Sequence, residues 1–304
     1  MSVCGCLGGR TKFHFVMKKK NFLWLIAFAL LMPLFALTAC SDDDDDDDND
    51  SNGDKTEQTA NDGTKVLSKK VTKIVKTYDD NKDHVRTWYF DEDGRLTSEK
   101  DTYGSSTYMT TYTYSNDKIE VVDVDDDDPE TTIYYLENGR VVGWSDEHRS
   151  GNVTYSDGYI ESSSYVCVHS NYEHTGEAKY TITNGNLTKI EGVYLDEYYG
   201  EKEEETTSIS YSSKLNNLNV DITAVLIEME NLGNYIGKRS KNLPSTYTFI
   251  EKETRTYNGE TKEYNYSEVK NFEYIYEGDY PVKILVDKVE DGEAMTRTYE
   301  IFYE

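Results

Sequence analysis

Apolar and polar residues alternate over many short runs from Val66 to the end of the chain. A period of two is typical of strands with one packed face and one wet face, so this region is predicted to be all-β. The alternation places these residues on the buried face: Trp88 and Phe90, Tyr112 and Tyr114, Ile119 and Val121, Phe272, Tyr274 and Tyr276, and Val282, Ile284 and Val286.

Short turn sequences separate the runs and predict hairpins, because Gly, Asn and Asp accept the positive φ of tight turns. They occur at Asp93-Gly94, Asn138-Gly139, Asp157-Gly158, Asn184-Gly185, Asn258-Gly259, Glu277-Gly278 and Asp291-Gly292. Several hairpin units resemble one another, and the early ones recur every 23, 22 and 19 residues, at Gly94, Asp117, Gly139 and Gly158. The pattern predicts an antiparallel up-and-down meander of roughly fifteen strands.

A flat sheet of this size is not expected, because open sheets of more than about ten strands tend to curl, split or close. We therefore expect a curled or closed barrel. A membrane-spanning barrel would need a continuous apolar band facing lipid, whereas Lys, Glu and Asp recur within almost every run. The preferred prediction is a soluble barrel.

One segment has the period of a helix instead, beginning at the capping residue Asp221 and closed by Gly233. Its apolar positions are Ile222, Val225, Leu226, Met229 and Leu232. We predict one short helix near 221–232 that plugs or caps one end of the barrel. The sequence GKRSKNLP follows at 237–244 and is a concentrated stretch of basic residues in an acidic domain.

Residues 1–39 have the features of a signal peptide, with Met17 as a second candidate start. Three lysines precede an apolar run, 22–37, that is shorter than the roughly 20 residues of a comfortable membrane span. The run ends in Leu-Thr-Ala-Cys, which resembles a bacterial lipobox and predicts lipidation of Cys40 after cleavage. Residues 40–63 are predicted to be a disordered acidic tether, and residues 64–304 a single β-rich domain.

The formal net charge of −26 argues against a nucleic-acid partner, because phosphate binding depends on clustered Lys and Arg. Two of the four cysteines, Cys4 and Cys6, lie in the leader, and Cys40 would carry lipid. Only Cys167 remains in the β-rich domain, so we expect no intramolecular disulfide.

Few residues have the spacing of a catalytic or metal site. Cys167, His169 and His174 offer soft ligands, but zinc normally takes three or four well-spaced ligands, so neither a metal nor another cofactor is predicted. The acidic loop 125–128 is interpreted as a solvated turn. Tyr198 and Tyr199, in an apparent loop, are the candidate ligand contacts, because a tyrosine ring combines an apolar face with a polar tip.

The lipobox with its acidic run, the hairpin YTITNGNLTKI and the sequence GKRSKNLPSTY together resemble surface lipoproteins of anaerobic Gram-negative gut bacteria that carry domain of unknown function 4595. The hairpins are also distantly similar to tyrosine-aspartate repeats. The resemblance implies a porin-like, barrel-shaped fold and brings no assigned catalytic residues. It also implies that Ser41, Asp42, Asp43 and Asp44 act as an export signal to the outer leaflet of the outer membrane.

Three functions stay open on these observations. The preferred one is a non-enzymatic lipoprotein, anchored by its lipid in the outer membrane and facing the cell exterior, that binds a glycan, a peptide or a partner protein. The second is a hydrolase that acts on extracellular polymers through an Asp/Glu pair. The third is a structural cell-surface protein without a small ligand.

Overall fold

Sixteen antiparallel strands form one closed barrel in this computed structural model, which describes residues 60, 63–124, 129–169, 172–196, 200–229, 232–257 and 259–304. The strands are β1 (Val71–Tyr78), β2 (Asn81–Phe90), β3 (Leu96–Tyr103), β4 (Ser106–Tyr114), β5 (Lys118–Val124), β6 (Pro129–Glu137), β7 (Arg140–Ser145), β8 (Arg149–Ser156), β9 (Tyr159–His169), β10 (Tyr172–Thr183), β11 (Asn186–Asp196), β12 (Glu201–Leu215), β13 (Asn242–Tyr257), β14 (Glu260–Glu277), β15 (Tyr280–Glu290) and β16 (Glu293–Tyr303).

Each strand pairs with its neighbour in sequence, and β1 closes the ring by pairing with β16. The register places Lys76 opposite Tyr299 of β16 on one side and opposite Arg86 of β2 on the other. The all-β meander is therefore confirmed, with a closed barrel and a strand count close to the roughly fifteen predicted.

The turn chemistry acts as predicted at four hairpins, where both central residues have positive φ: Asn138-Gly139, Asp157-Gly158, Asn184-Gly185 and Asp291-Gly292. Two turns are shifted by one residue. Glu277 still belongs to β14, so the turn is formed by Gly278 and Asp279, and Gly94 follows a turn centred on Glu92 and Asp93. Asn258 lies outside the described residues.

Most residues assigned to the buried face lie in the barrel interior, but Val282 does not follow the alternation. Tyr276 pairs with Pro281 and Ile275 with Lys283, so a β-bulge leaves Val282 without a cross-strand partner. Pro281 is buried in its place, and Val282 is half-buried. An extra residue inserted in one strand changes which positions face inward, and that is why alternation alone is wrong here.

The connection between β12 and β13, residues 216–241 and here called the plug segment, enters the barrel. It contains the helix α1 (Ile222–Ile227) and a 3₁₀ turn (Gly233–Ile236). All six residues of α1 are buried, and most pack in a cluster with residues such as Trp88 and Ile284, while Leu232 packs in a second cluster with Ile119. The predicted plugging helix is thus present in the barrel interior.

The limits of α1 differ from the prediction at one end only. Asp221 caps the helix by accepting hydrogen bonds from the backbone N–H groups of Thr223 and Ala224. The helix ends at Ile227 instead of 232, because Glu228 adopts a left-handed conformation with φ of 59° and stops the helix.

Backbone hydrogen bonds attach the plug segment to one end of the barrel, here called the plug end. Asn217 accepts from the N–H of Leu67, and the N–H groups of Lys238 and Lys241 donate to the carbonyls of Gly158 and Gly185. The buried Arg239 guanidinium donates to carbonyls within the segment itself: those of Asn216, Leu218 and Val220. The opposite end, which carries the turns after β1, β3, β7 and β15, is here called the mouth. No helix among the described residues is long and apolar enough to cross a membrane.

Candidate functional site

Tyrosine and glutamate side chains line the interior wall towards the mouth. Cross-strand pairing aligns Tyr264, Glu253, Glu203 and Tyr194 in one inward-facing row across β14, β13, β12 and β11. A second inward row, one step closer to the plug segment, contains Tyr266, Glu251 and Glu205. The wall therefore presents aromatic faces beside carboxylates, a combination suited to ligands with both apolar and hydrogen-bonding surfaces.

Burial along this wall decreases towards the mouth. Glu251 and Glu268 keep 9% and 8% of their surface exposed, whereas Tyr264 keeps 50%. Across the barrel the inward-facing Tyr103 near the mouth is 46% exposed. The mouth therefore meets solvent, while the interior beside the plug segment is packed.

Three of these carboxylates, from Glu203, Glu205 and Glu251, have oxygen atoms that all lie within 4.8 Å of one another. Carboxylate oxygens are the ligand type that hard divalent cations take. All three residues also make other polar interactions, and acidic groups of this kind are common without a bound ion. The group is an acidic part of the wall that could hold a cation.

A network of charged side chains surrounds Glu228, which follows α1 in the plug segment. Glu228 contacts three cations from the barrel wall: Lys76 Nζ at 2.7 Å, Arg86 Nη1 at 3.3 Å and Lys270 Nζ at 3.6 Å. The wall itself continues the network, with Arg86 paired to Glu99 at 2.6 Å and Lys270 paired to Glu268 at 3.0 Å. Ion pairs therefore connect Glu228 of the plug segment to β1, β2 and β14.

The pKa values of this network follow from burial and pairing. Burial lowers the pKa of Lys76 to about 8, although the neighbouring Glu228 acts in the opposite direction. Burial alone would raise the pKa of Glu228, but the charges of Lys76, Lys270 and Arg86 outweigh it and hold that pKa well below its usual range. Glu228 is thus an ionised carboxylate in the barrel interior.

Two histidine–aspartate pairs lie on the wall nearer the mouth. His84 Nε2 is 2.9 Å from Asp101 Oδ1, and the His84 ring stacks on Tyr78 with centroids 3.8 Å apart. His174 Nδ1 is 2.6 Å from the Tyr194 hydroxyl and 3.4 Å from Asp196 Oδ2. Both histidines are held in place, and both present polar groups to the interior.

The cysteine and histidine pattern found in the sequence is partly brought together. Cys167 lies directly opposite His174 in the register of β9 and β10, and the side chain of His169 is not among those described. Burial raises the pKa of the Cys167 thiol, which disfavours the thiolate that a nucleophile or metal ligand needs.

The remaining predicted site residues lie outside the described part of the chain. They are Cys40, Ser41, Asp42, Asp43, Asp44, Tyr198, Tyr199 and the acidic loop 125–128. Sequence reasoning missed the charges in the interior. The inward position of Lys76 could have been predicted, because it alternates with Ile74 and Tyr78 along β1. The inward position of Glu228 could not, because it depends on the left-handed backbone conformation of that residue.

Two solved structures share the fold. A porin-like protein from Bacteroides vulgatus superposes with a TM-score of 0.54 at 15% identity, over 78% of this chain and 99% of that one. A porin-like protein from Bacteroides uniformis superposes with a TM-score of 0.50 at 14% identity, over 77% of this chain and 98% of that one. No family model and no curated protein matches the sequence. The porin-like fold implied by the resemblance is confirmed, and membership of the domain 4595 family stays a prediction.

Proposed function

We propose that this chain is an envelope-associated, non-enzymatic binding protein whose barrel receives a ligand at the mouth. The observation that carries the proposal is the contrast between the two ends of the barrel. The plug end is filled by buried apolar residues of α1, whereas the wall near the mouth keeps Tyr and Glu side chains partly exposed. A barrel that is filled at one end and open at the other favours binding over conduction.

The ligand that fits this wall is a glycan or a peptide. Tyrosine rings can stack on sugar rings or apolar side chains, and carboxylates can accept hydrogen bonds from hydroxyl or amide groups. Tyr264 and Tyr194 flank Glu203 and Glu253 in one row, so both kinds of contact are available within the same wall. The aromatic and acidic positions are the proposed contacts, beside Tyr198 and Tyr199 from the sequence.

The outer surface of the wall supports a barrel that stands in water, outside the bilayer. Ion pairs on the outer face include Lys189–Glu191, Lys202–Glu204, Lys252–Glu263 and Lys283–Glu300, with N–O distances of 2.7 to 3.1 Å. Lys and Arg on a lipid-facing wall cost about 2 to 4 kcal/mol each near the midplane, and Asp and Glu cost less. We propose that Cys40 carries the lipid that holds the protein on the outer membrane, with the domain facing the exterior.

A hydrolase is the second candidate, favoured by the close approach of Glu203, Glu205 and Glu251. Retaining glycoside hydrolases use two carboxyl groups about 5 to 5.5 Å apart, and this is the spacing that the three glutamates approach. Incubation with oligosaccharides and peptides, followed by mass spectrometry, separates the candidates. If products form with the unmodified chain and not with Glu205→Gln, the function is hydrolysis and not binding alone.

The binding proposal is tested with the chain that begins at Ser41, which keeps every described residue, on glycan and peptide arrays. We expect a ligand above background, and at least a tenfold loss of affinity in the double variant Tyr264→Ala/Glu203→Gln on the inner wall, because both contact types are removed. The matched control is Tyr135→Ala/Glu204→Gln, which changes the same residue types on the outer face.

Equal affinity of the inner-wall and outer-wall variants would contradict a ligand site inside the mouth. Arrays without any signal above background would favour the third reading, a structural surface protein.

A further inference from the structure

Three basic side chains from two elements, the plug segment and β7, lie at the plug end. Lys238 and Lys241 belong to the sequence GKRSKNLP, and Arg140 begins β7. A Cβ built on Gly158 would lie 3.0 Å from Lys238 Cε and 3.2 Å from Arg140 Nη2, so both cations border the same turn. A Cβ built on Gly185 would lie 3.7 Å from Lys241 Cβ, on the next turn of the same end. These three residues are here called the basic patch.

Rigid backbone contacts hold the basic patch in place. The N–H of Lys238 donates to the carbonyl of Gly158 at 2.7 Å, and the N–H of Lys241 donates to the carbonyl of Gly185 at 3.0 Å. Lys238 Nζ lies over the Tyr159 ring, and the Arg140 guanidinium lies over the Tyr155 ring. The cations are thus positioned by the fold before any partner arrives.

No carboxylate of the described chain forms an ion pair with Arg140, Lys238 or Lys241, although the adjacent turns carry Glu137 and Asp157. Some lysines on the outer wall, such as Lys189 and Lys283, are paired, whereas others, such as Lys100 and Lys179, form no ion pair among the described residues. The basic patch differs from these single lysines because its three cations are grouped on two neighbouring turns, which favours an external anion as their partner.

The position of the basic patch indicates which anion it meets. The described chain starts at the plug end, where the N–H of Leu67 donates to the carbonyl of Asn217 and the backbone of Lys70 pairs with that of Glu304. The lipid proposed above for Cys40 would therefore bring this end, and not the mouth, towards the membrane. Strands of about ten residues rise roughly 33 Å, so the acidic mouth is several Debye lengths of about 8 Å away and screened from that surface.

We infer that Arg140, Lys238 and Lys241 dock the plug end on the phosphate groups of a lipid surface. Guanidinium and ammonium groups form charge-assisted hydrogen bonds with phosphate oxygens. Docking by this end directs the mouth away from the membrane and leaves it open to ligands. The inference concerns the orientation of the barrel; it rests on the lipid anchor proposed for Cys40 and does not depend on which ligand the mouth binds.

The experiment is co-sedimentation of the chain that begins at Ser41 with two kinds of vesicle, phosphatidylcholine alone and phosphatidylcholine with phosphatidylglycerol. We expect binding to the anionic vesicles only, weakened by added salt. The triple variant Arg140→Gln/Lys238→Gln/Lys241→Gln should lower the partition coefficient about 100-fold, because each basic residue near an anionic membrane contributes a factor of about five.

The matched control, Lys189→Gln/Lys202→Gln/Lys252→Gln, makes the same change of charge on the outer wall and should bind like the unmodified chain. An equal loss in both triple variants would overturn the docking face, because binding would then follow net charge. Binding that appears only after Asp42–Asp48 are replaced by Asn, and that the triple variant then keeps, would also overturn it, because the patch would then not be what holds the vesicle. Near-UV circular dichroism confirms that each variant is folded.

Discussion

Glu228 connects backbone conformation to charge at the scale of a single residue. Few residues other than Gly, Asn and Asp adopt the left-handed conformation, so its φ of 59° has to be stabilised by its surroundings. Here the conformation ends α1 and turns the carboxylate towards Lys76, Arg86 and Lys270. Among the described residues, Glu228 is the carboxylate that pairs with Lys76, whereas Arg86 and Lys270 each have a second carboxylate partner, Glu99 and Glu268.

Replacing each partner of the Glu228–Lys76 pair should therefore have unequal effects. Glu228→Gln keeps the shape but leaves Lys76 buried without a carboxylate, and we expect a loss of about 3 kcal/mol in the free energy of unfolding. Lys76→Met keeps the apolar length and leaves Glu228 with Arg86 and Lys270, so we expect a change of less than about 1 kcal/mol. Urea unfolding at pH 7 measures both, and equal losses would show that the pair acts symmetrically.

At the scale of the element, two neighbouring strands fit together because one glycine makes room for an aromatic ring. Gly176 of β10 lies opposite Tyr165 of β9, and a Cβ on Gly176 would clash with the Tyr165 ring. Gly192 of β11 also faces inward, but a Cβ there would meet its nearest atom, Glu205 Oε2, at an ordinary 3.6 Å. Strand propensity treats the two glycines alike, whereas packing distinguishes them.

Alanine at these two positions should separate packing from propensity. Gly176→Ala is expected to lower the free energy of unfolding by about 2 to 3 kcal/mol through overpacking. Gly192→Ala is expected to change it by less than about 1 kcal/mol, with some gain from a less flexible unfolded chain. In the Tyr165→Leu background the cost of Gly176→Ala should nearly vanish. A cost that persists there, measured by urea unfolding, would assign it to the backbone of β10 and not to the ring.

At the scale of the whole molecule, the plug segment completes the interior of a wide barrel. Barrels of 16 to 18 strands are wide enough to leave an aqueous channel, whereas about eight strands can be filled by wall side chains. In this chain α1 joins β1, β2 and β12 to β16 in one apolar cluster, and Leu232 joins the opposite wall in the other. The inward face of the barrel wall near the plug end is therefore apolar because it packs against the plug segment.

Removal of the plug segment should consequently unfold the barrel. Replacing residues 217–240 by a short Gly-Ser linker exposes both apolar clusters, and we expect loss of the near-UV circular dichroism signal and of cooperative thermal unfolding. The same linker inserted at the mouth turn Asp291-Gly292 serves as the control and should have little effect. A deletion variant that unfolds cooperatively like the unmodified chain would mean that the wall is stable without its filling.

Local chemistry determined much of this architecture. Alternation, turn residues and a helical period set the all-β class, the hairpin order, the Asp221 cap and the place of α1, because these depend on neighbours within a few residues. Closure of β1 on β16, the bulge at Val282 and the end of α1 at Glu228 depend on distant partners. The wall of Tyr264, Glu253, Glu203 and Tyr194 and the charges around Glu228 were decided only by tertiary structure, because residues from several strands come together there. The basic stretch with Lys238 and Lys241 was visible in the sequence, but its approach to Arg140 of β7 was not. A single sequence carries the period of each strand, but not the register that aligns one strand with the next.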